Sequence, residues 1–481
     1  MPTPGVKEPR KLMPDDPSSD RIAGEEFDVV VIGSGVVGCA MARRFTLEGA
    51  RVLVLEKAAD ILDGASKGNS AILHTGFDAE PGSLEQHCIQ AGYEEYLQVK
   101  DELNLPVLES GALVVAWNAA EAEMLGGIVD KARANSVRDV QHLSSAQLLV
   151  KEPGLSKKAF AAVEVPREFV IDPWTTPYTY LLQAIENGAT VKRDTAVIDA
   201  DFAAGLWQIE TNRGKITART VINCAGLYGD LLEQKLLGQS AFEIRPRKGQ
   251  FLVFDKSASR LIDSIILPVP NEITKGIVVC RTIFGNLLVG PTAEEQQSRD
   301  DASVDANTLQ ALHNKGVEII PELANHSVTA TYAGIRPATE FKDYCIQPYA
   351  EQNYISVGGI RSTGLTAALG IASHVFRLYQ AMGNSHNQID NFVVPDVLPL
   401  AESLERNWSK PGNGGIVCHC ELVTRHEIEQ ALSGPLAANS LAGLKRRTRA
   451  TMGRCQGFYC SAELSEMCAN RLQIPLSEPL T

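Results

Sequence analysis

The fold is decided by residues 27–38, FDVVVIGSGVVG, together with VLVLE at residues 52–56. The unbroken apolar run from Val29 to Ile32 is typical of a parallel strand that is covered on both faces. It is followed by a Gly-x-Gly-x-x-Gly turn made of Gly33, Gly35 and Gly38. Such glycines allow a tight turn, close approach of the backbone to a pyrophosphate, and close packing of the next helix on the sheet. The stretch therefore predicts a strand, turn, helix and strand that bind a dinucleotide.

The end of the second strand indicates which dinucleotide is bound. Glu56 stands where an acidic side chain takes the ribose hydroxyls of an adenosine, and this disfavours a 2′-phosphate. The helix after the turn directs its partial positive charge at the phosphates. We therefore favour NAD or FAD over NADP. Beside the glycines and Glu56, we expect cofactor contacts from Val36, Val37 and Lys57.

Composition and charge narrow the class of protein. The 481 residues suffice for roughly two to four domains, and the 44% of hydrophobic residues supply full cores. The formal net charge of −13 argues against nucleic acid as a partner. No apolar run reaches the roughly 18 residues of a membrane span, and residues 1–24 are predicted to be a flexible tail without a signal core. We expect a cytoplasmic protein, with peripheral association at the inner membrane face left open. Its ten cysteines would be reduced thiols or metal ligands.

A loop of small residues follows the second strand and contains one histidine. Residues 63–77 read DGASKGNSAILHTGF, and small residues let the backbone approach a flat cofactor. His74 is a candidate base near neutral pH, and an imidazole merely hydrogen-bonded in a turn is the equal alternative. Further cofactor contacts are expected from Ser66, Asn69 and Ser70. Residues 83–160, which come next, are predicted to be helix-rich.

The middle of the chain returns to strands. Residues 220–226, TVINCAG, predict a parallel strand whose tip, at Ala225 and Gly226, meets a ligand. Residues 242–300 alternate in short strands broken by Gly, Pro and Asn, which favours an antiparallel, substrate-side domain. This part contains three cations that face either an anionic substrate or only water, namely Arg245, Arg247 and Lys248.

Two later segments are candidate site elements, with an ordinary strand end and turn as the alternative for both. Arg336 in AGIRP, residues 333–337, is fixed by the following proline, and its planar fork suits a carboxylate or phosphate. Residues 355–368, ISVGGIRSTGLTAA, predict a strand, a glycine-rich turn and a helix start, whose amides can meet a ring cofactor. Cofactor contacts expected here are Gly359, Arg361, Gly364, Leu365 and Thr366.

Cysteines in two close pairs lie near the end of the chain. Cys418 and Cys420 form one pair, and Cys455 and Cys460 form the other. Four thiolates can hold zinc or an iron–sulfur cluster. The cations between the pairs would offset the negative charge of such a cluster; they are Lys445, Arg446, Arg447, Arg449 and Arg454. There is no redox cysteine pair in residues 57–87 and no second dinucleotide motif, so electrons taken from a substrate would need another exit.

Taken in order, these motifs resemble the FAD-dependent glycerol-3-phosphate dehydrogenase-like branch of the D-amino-acid oxidase superfamily over residues 27–380. Residues 418–460 resemble a bacterioferritin-associated-ferredoxin-like [2Fe–2S] domain, which favours iron–sulfur over zinc. The resemblance implies that Val197 offers its backbone to the adenine of FAD and that the turn before Thr366 lies near the flavin ring. It also implies that His74 lies near the isoalloxazine. Arg336, assisted by Arg247 or Lys248, would hold the anionic group of the substrate.

We therefore predict an α/β protein with a Rossmann-type FAD-binding domain, an antiparallel-sheet substrate domain and a small helical C-terminal iron–sulfur domain. The predicted FAD-binding domain joins residues 25–100, 165–240 and 330–385. The predicted substrate domain joins 101–164 and 241–329, and a linker at 386–412 precedes the [2Fe–2S] domain at 413–475.

The predicted reaction is oxidation of a secondary alcohol beside an anionic group, as in glycerol 3-phosphate, by hydride transfer to FAD. Electrons would then leave through the cluster to a partner subunit or an electron carrier. A 2-hydroxy acid such as L-2-hydroxyglutarate, an amino acid or an opine is the alternative substrate. A non-catalytic electron-transfer subunit of a larger complex is the alternative class.

Overall fold

A computed structural model describes residues 25–270 and 276–476, so the predicted tail at 1–24 lies outside the described residues. The strands are β1 (Glu26–Ile32), β2 (Val52–Leu55), β3 (Ile72–Leu73), β4 (Val107–Leu108), β5 (Ala112–Ala116), β6 (Gln141–Ser144), β7 (Ala161–Val165), β8 (Phe169–Ile171), β9 (Thr190–Lys192), β10 (Val197–Ala203), β11 (Leu206–Thr211), β12 (Gly214–Asn223), β13 (Ile244–Phe254), β14 (Ile265–Pro268), β15 (Val278–Arg281), β16 (Leu287–Gly290), β17 (Glu294–Glu295), β18 (Val328–Thr339), β19 (Cys345–Tyr349), β20 (Tyr354–Gly358), β21 (Ile416–Cys418) and β22 (Val423–Thr424). The helices are α1 (Val36–Leu47), α2 (Leu84–Val99), α3 (Ala119–Ala134), α4 (Ser145–Lys151), α5 (Thr175–Glu186), α6 (Gly229–Leu237), α7 (Ala306–Ile319), α8 (Gly364–Ala381), α9 (Arg425–Ala431), α10 (Leu441–Thr448) and α11 (Ser461–Cys468).

The first sheet has the parallel core of a dinucleotide-binding fold. β1 lies between β12 and β2, with β9 beyond β2 and β20 beside the end of β12, and all these pairs are parallel. Val29, Val30 and Val31 are fully buried, as their unbroken apolar run predicts. β10 and β11 extend the sheet in the antiparallel sense, as does β19 beside β20. The Rossmann-type part of the predicted fold is therefore confirmed.

The second sheet is antiparallel apart from the pair β14 and β5. Its order is β17, β13, β16, β15, β14, β5, β7, β6, with β18 also paired to β13. This confirms the antiparallel-sheet domain. The helix-rich interpretation of residues 83–160 is partly wrong, because β5 and β6 of this sheet lie within them. Every residue of β5 is buried, and a short, fully buried strand shows no two-residue alternation to distinguish it from a helix.

The C-terminal region is small and mostly helical. Its own apolar core joins residues of β21, β22, α9, α10 and α11. The segment before it, predicted as a linker at 386–412, packs along the protein, since Leu400 and Ala401 are buried against Ile283 and Phe284. The domain boundaries stay predictions. Among the described residues, no helix combines the length and apolar character that a membrane crossing requires.

Gly38 allows α1 to lie directly against the turn after β1. A β-carbon at Gly38 would lie 1.9 Å from the carbonyl oxygen of Gly33, so that neither backbone has room to give. This contact is the close helix–sheet packing that the third glycine of the motif predicts.

Gly38→Ala should therefore lower the free energy of unfolding by roughly 1–3 kcal/mol, the usual cost of overpacking a core. Gly126→Ala is the matched control, because a β-carbon there, on helix α3, would meet no atom within 4 Å. The control should gain up to about 1 kcal/mol from the better helix propensity of Ala. Urea unfolding curves of the two variants measure the difference, and equal midpoints would contradict the packing argument.

Candidate active site

A cavity of about 1230 Å³ is lined by residues of both large sheets. This volume exceeds the roughly 300–1,000 Å³ of a pocket for one drug-sized ligand. It is therefore large enough for an extended dinucleotide together with a small substrate.

The cavity brings together most of the residues predicted from the sequence. Its lining includes Gly33, Gly35, Val36, Val37, Glu56, Lys57, Ser66, Asn69, Ser70, His74, Val197, Ala225, Gly226, Arg247, Arg336, Arg361, Gly364 and Leu365. The predicted residues outside the lining are Gly38, Lys248, Gly359 and Thr366. Gly38 packs α1 on the sheet, and Thr366 accepts a hydrogen bond from the backbone N–H of His74.

Hydrogen bonds order the glycine turn and the start of α1. The backbone N–H of Val36 donates to Ser66 Oγ at 2.9 Å, so a residue of the small-residue loop meets the first turn of the helix. Glu56 accepts from the backbone N–H and the hydroxyl of Ser34, at 2.9 and 2.7 Å, and from the N–H of Ala58 at 2.9 Å. The Glu56 carboxylate thereby ties the end of β2 to the turn where a pyrophosphate is expected.

His74 is held by a carboxylate that the sequence did not reveal. β3 pairs antiparallel with β8, with Leu73 opposite Phe169, so the next pair in register is His74 and Glu168. His74 Nδ1 lies 2.8 Å from Glu168 Oε2, and the Glu168 side chain is fully buried. The backbone N–H of His74 donates to Thr366 Oγ1 at 3.0 Å, and that hydroxyl donates to the carbonyl of Ile72. Backbone and ring of His74 are thus fixed at the cavity wall.

Two arginines face the cavity from adjacent strands. Arg247 on β13 and Arg336 on β18 are directly opposite in register, and both line the cavity. Burial, and next the charge of Arg247, lowers the pKa of Arg336 to about 10. The Arg336 guanidinium is within 3.3 Å of the carbonyl oxygen of Thr292, while Arg247 forms an exposed ion pair with Glu295. Lys248 is absent from the lining because neighbouring strand residues point to opposite faces.

Arg361 reaches the cavity from the glycine-rich turn after β20. Its guanidinium pairs with Glu85 at 2.6 Å, and Glu85 also accepts from Thr363 Oγ1 at 2.7 Å. The turn is therefore tied to the first helical turn of α2. This explains how a loop of small residues keeps one conformation beside the cavity.

The four C-terminal cysteines form two thiol pairs. Cys420 hydrogen-bonds with Cys455, and Cys418 with Cys460. The backbone N–H of Tyr459, and next the Cys420 thiol and the amides of Gly457 and Phe458, lowers the pKa of Cys455. Burial, followed by the neighbouring Cys418, raises the pKa of Cys460 to about 11.

This pairing fits a two-iron cluster. Within residues 25–270 and 276–476, no three His, Cys, Asp or Glu side chains converge on a point where one ion could bind. Four thiols gathered in one place, each close to the others' charges, suit two irons that each take two thiolates. Backbone amides directed at a cysteine sulfur are the usual surroundings of an iron–sulfur ligand.

Two of the basic residues between the cysteine pairs form buried ion pairs, and the counter-charge role expected of the whole set stays a prediction. Arg447 pairs with Asp60 at 3.2 Å and Arg449 with Glu421 at 2.8 Å, all four side chains being almost fully buried. Asp60 follows β2 in the other domain, and it also accepts from Ser440 Oγ. Arg447 therefore joins the C-terminal region to the rest of the protein through Asp60, and Arg449 does so by donating to the side-chain oxygen of Asn286 at 3.2 Å. Both charges are paired with carboxylates.

Comparisons with known proteins agree with this geometry. Residues 28–378 match the family model "FAD dependent oxidoreductase", and residues 416–470 match the "BFD-like [2Fe-2S] binding domain". The chain is 31% identical to a glycerol 3-phosphate dehydrogenase of Caloramator mitchellensis, over 94% of this chain and 96% of the relative. It is 28% identical to an L-2-hydroxyglutarate dehydrogenase of Indibacter alkaliphilus, over 73% and 98%. Dithionite-reduced L-α-glycerophosphate oxidase from Mycoplasma pneumoniae, with FAD bound, superposes with a TM-score of 0.72 at 26% identity, covering 78% of this chain and 100% of that one.

The chain belongs to the FAD-dependent oxidoreductase family, and it carries a C-terminal BFD-like [2Fe–2S] domain. Its cofactors are FAD and a [2Fe–2S] cluster. The cavity suits FAD, because it joins the glycine turn and the start of α1 at one end to the turn before α8 at the other. The paired cysteines suit the cluster.

Proposed function

We propose that this enzyme oxidises glycerol 3-phosphate at its secondary alcohol and passes the electrons through its iron–sulfur domain to a partner. The observation that carries the substrate class is the pair Arg247 and Arg336. They are opposite in register and face one cavity, and the charge of Arg247 contributes to the lowered pKa of Arg336. Two guanidinium groups on one wall of the cavity favour a dianion such as a phosphate monoester, whereas a single carboxylate needs one fork.

The residues then divide the work as follows. Arg336, with Arg247, holds the phosphate, and Arg247 exchanges its exposed partner Glu295 for the substrate. His74 takes the proton of the secondary hydroxyl as the C–H bond breaks. When bound, FAD supplies the acceptor for the hydride that leaves that carbon. Thr366 keeps the backbone of His74 in place, and the ion pair of Arg361 with Glu85 fixes the glycine-rich turn after β20.

The C-terminal domain gives the electrons a way out. Cys420 and Cys455 are partly exposed, whereas Cys418 and Cys460 are buried. One side of the cysteine site therefore reaches the surface, where a partner subunit or an electron carrier would dock. The aromatic side chains of Phe458 and Tyr459, 80% and 77% exposed, stand next to Cys455 on that surface.

The substrate assignment predicts which compound bleaches the protein. In anaerobic visible spectra, glycerol 3-phosphate should bleach the flavin bands, while L-2-hydroxyglutarate and amino acids should not. Arg247→Leu should raise the glycerol 3-phosphate concentration needed for half-maximal bleaching by about 10- to 100-fold, the worth of one charged hydrogen-bonding group. Arg245→Leu is the matched control, because Arg245 lies two residues earlier on β13 and is exposed outside the cavity.

If only L-2-hydroxyglutarate bleaches the flavin bands, the substrate is a dicarboxylate and not a phosphate ester. An equal change in both arginine variants would remove Arg247 from the substrate site. A protein that contains both cofactors and is bleached by none of these compounds would favour a non-catalytic electron-transfer subunit.

A further inference from the structure

We propose that Glu168 is the positioning residue for His74, fixing the ring tautomer and holding the imidazolium that forms when the substrate proton is taken up. This rests on the proposed function, in which His74 is the base. Glu168 lies 94 residues from His74 and directly before β8.

The geometry assigns a definite hydrogen-bonding role to each oxygen of the carboxylate. Oε1 accepts from the backbone N–H and the hydroxyl of Thr75, at 2.5 and 2.7 Å, and Oε2 lies 2.8 Å from His74 Nδ1. An ionised carboxylate only accepts hydrogen bonds, so Nδ1 carries the proton and Nε2 carries the lone pair. The two bonds from Thr75 prevent the carboxylate from turning away.

The same pair balances the charge of the reaction. When the hydroxyl O–H bond breaks, its proton moves to Nε2 of His74. The carbon that bears the hydroxyl gives up its hydride, for which bound FAD would be the acceptor, and a carbonyl C=O bond forms in the product. His74 then carries a positive charge 2.8 Å from the Glu168 carboxylate. Because Glu168 is fully buried and His74 is 22% exposed, solvent screens this attraction only weakly.

Other charged groups surround the pair, and the test must separate them from Glu168. The cavity wall shared with His74 includes Asp78, Glu85, Lys131, Arg336 and Arg361. On the other side lies Tyr93, which feels the charges of Arg167, Asp139 and Glu109 as well as that of Glu168. Arg167 and Asp139 form an ion pair with each other. The test therefore changes Glu168, whose Oε2 lies 2.8 Å from the ring Nδ1 of His74.

The experiment compares Glu168→Gln with Thr75→Val in the complete protein loaded with both cofactors. A ¹⁵N-histidine NMR titration, with the His74→Gln variant for assignment, measures the pKa and tautomer of His74 without substrate. Stopped-flow flavin reduction by glycerol 3-phosphate gives the pH profile. Removing an adjacent opposite charge should lower the pKa of His74 and move the rising limb of the profile to lower pH by about 1–3 units. Thr75→Val, which keeps the carboxylate, should leave both within about half a unit.

The outcomes separate this inference from the proposed function. An unmoved His74 titration in Glu168→Gln, with His74 still essential for flavin reduction, overturns the inference and leaves the proposed function standing. A shift of the same size in Thr75→Val also overturns it, because the carboxylate would then act only through packing. If Glu168→Gln does not fold, Glu168→Asp takes its place. Its carboxylate is withdrawn by one methylene, so the pKa of His74 should fall by a smaller amount, and an unchanged titration overturns the inference.

Discussion

Replacing His74 by Ala should slow the reduction of bound FAD by glycerol 3-phosphate by about 10²- to 10⁴-fold, the usual contribution of a positioned general base. The reason is geometric. The ring is held at Nδ1 by Glu168 and the backbone by Thr366, so His74 has one place at the cavity wall. Nothing else in the variant has to move, and the visible spectrum should show that FAD remains bound. Stopped-flow bleaching under anaerobic conditions measures the rate.

His87→Ala is the control for this prediction. His87 lies later in the chain, in the first turns of α2, where it is exposed and its ring Nδ1 is 2.7 Å from the carbonyl oxygen of Ser83. It should reduce FAD at the normal rate. A His74→Ala protein that is bleached as fast as the control would remove the catalytic base from the proposed mechanism. Such a result would favour a non-catalytic electron-transfer subunit of a larger complex.

The dinucleotide half of the fold could be predicted because its signals are local. A strand, three glycines, a helix and an acidic strand end lie within 30 residues, and each is required by the geometry of one turn. In the structure, Gly33 and Glu56 both line the cavity. The signal for the iron–sulfur site was equally local in each half, since one residue separates Cys418 from Cys420 and four separate Cys455 from Cys460.

Pairing between distant segments could not be predicted in the same way. Glu168 meets His74 because two very short strands, β3 and β8, pair in one register. A two-residue strand leaves no periodic pattern in the sequence. The roles of Arg247 and Lys248 differ for a similar reason: only the register of β13 against β18 shows which of them faces Arg336.

The arginines of α10 show that a charge pattern in the sequence does not reveal its partners. Their number near the cysteines indicated a counter-charge for the cluster. Arg446 instead donates to the carbonyl of Ile61, and Arg447 pairs with Asp60, so these cations are used at a domain contact. Asp60 is 2% exposed and lies in a loop without any motif, and a buried acid of this kind gives no signal until the fold brings its partners to it.

The contact at Asp60 also attaches the iron–sulfur domain to the rest of the protein. Asp60 accepts from Ser440 and the backbone N–H of Asn439, and it pairs with Arg447 at 3.2 Å and Arg193 at 3.4 Å. Asp60→Asn would leave both guanidinium groups buried with no anion at this point. Losing one partner of a buried ion pair costs about 3–5 kcal/mol.

We therefore expect amide hydrogen exchange in residues 436–449 to accelerate by about two to three orders of magnitude in Asp60→Asn, since each 1.4 kcal/mol is a factor of ten. Arg454→Gln is the control, because its ion pair with Asp255 also joins the C-terminal region to the rest of the protein, but the guanidinium is exposed, so the pair is worth roughly 0–1 kcal/mol. In Asp60→Asn, glycerol 3-phosphate should still bleach the flavin, while the cluster should be reduced more slowly. Exchange that stays as slow as in the control would show that Asp60 is not what holds the domain. Fast exchange with an unchanged rate of cluster reduction would mean that electron transfer does not depend on this docking, and the route out of the enzyme would have to be sought elsewhere.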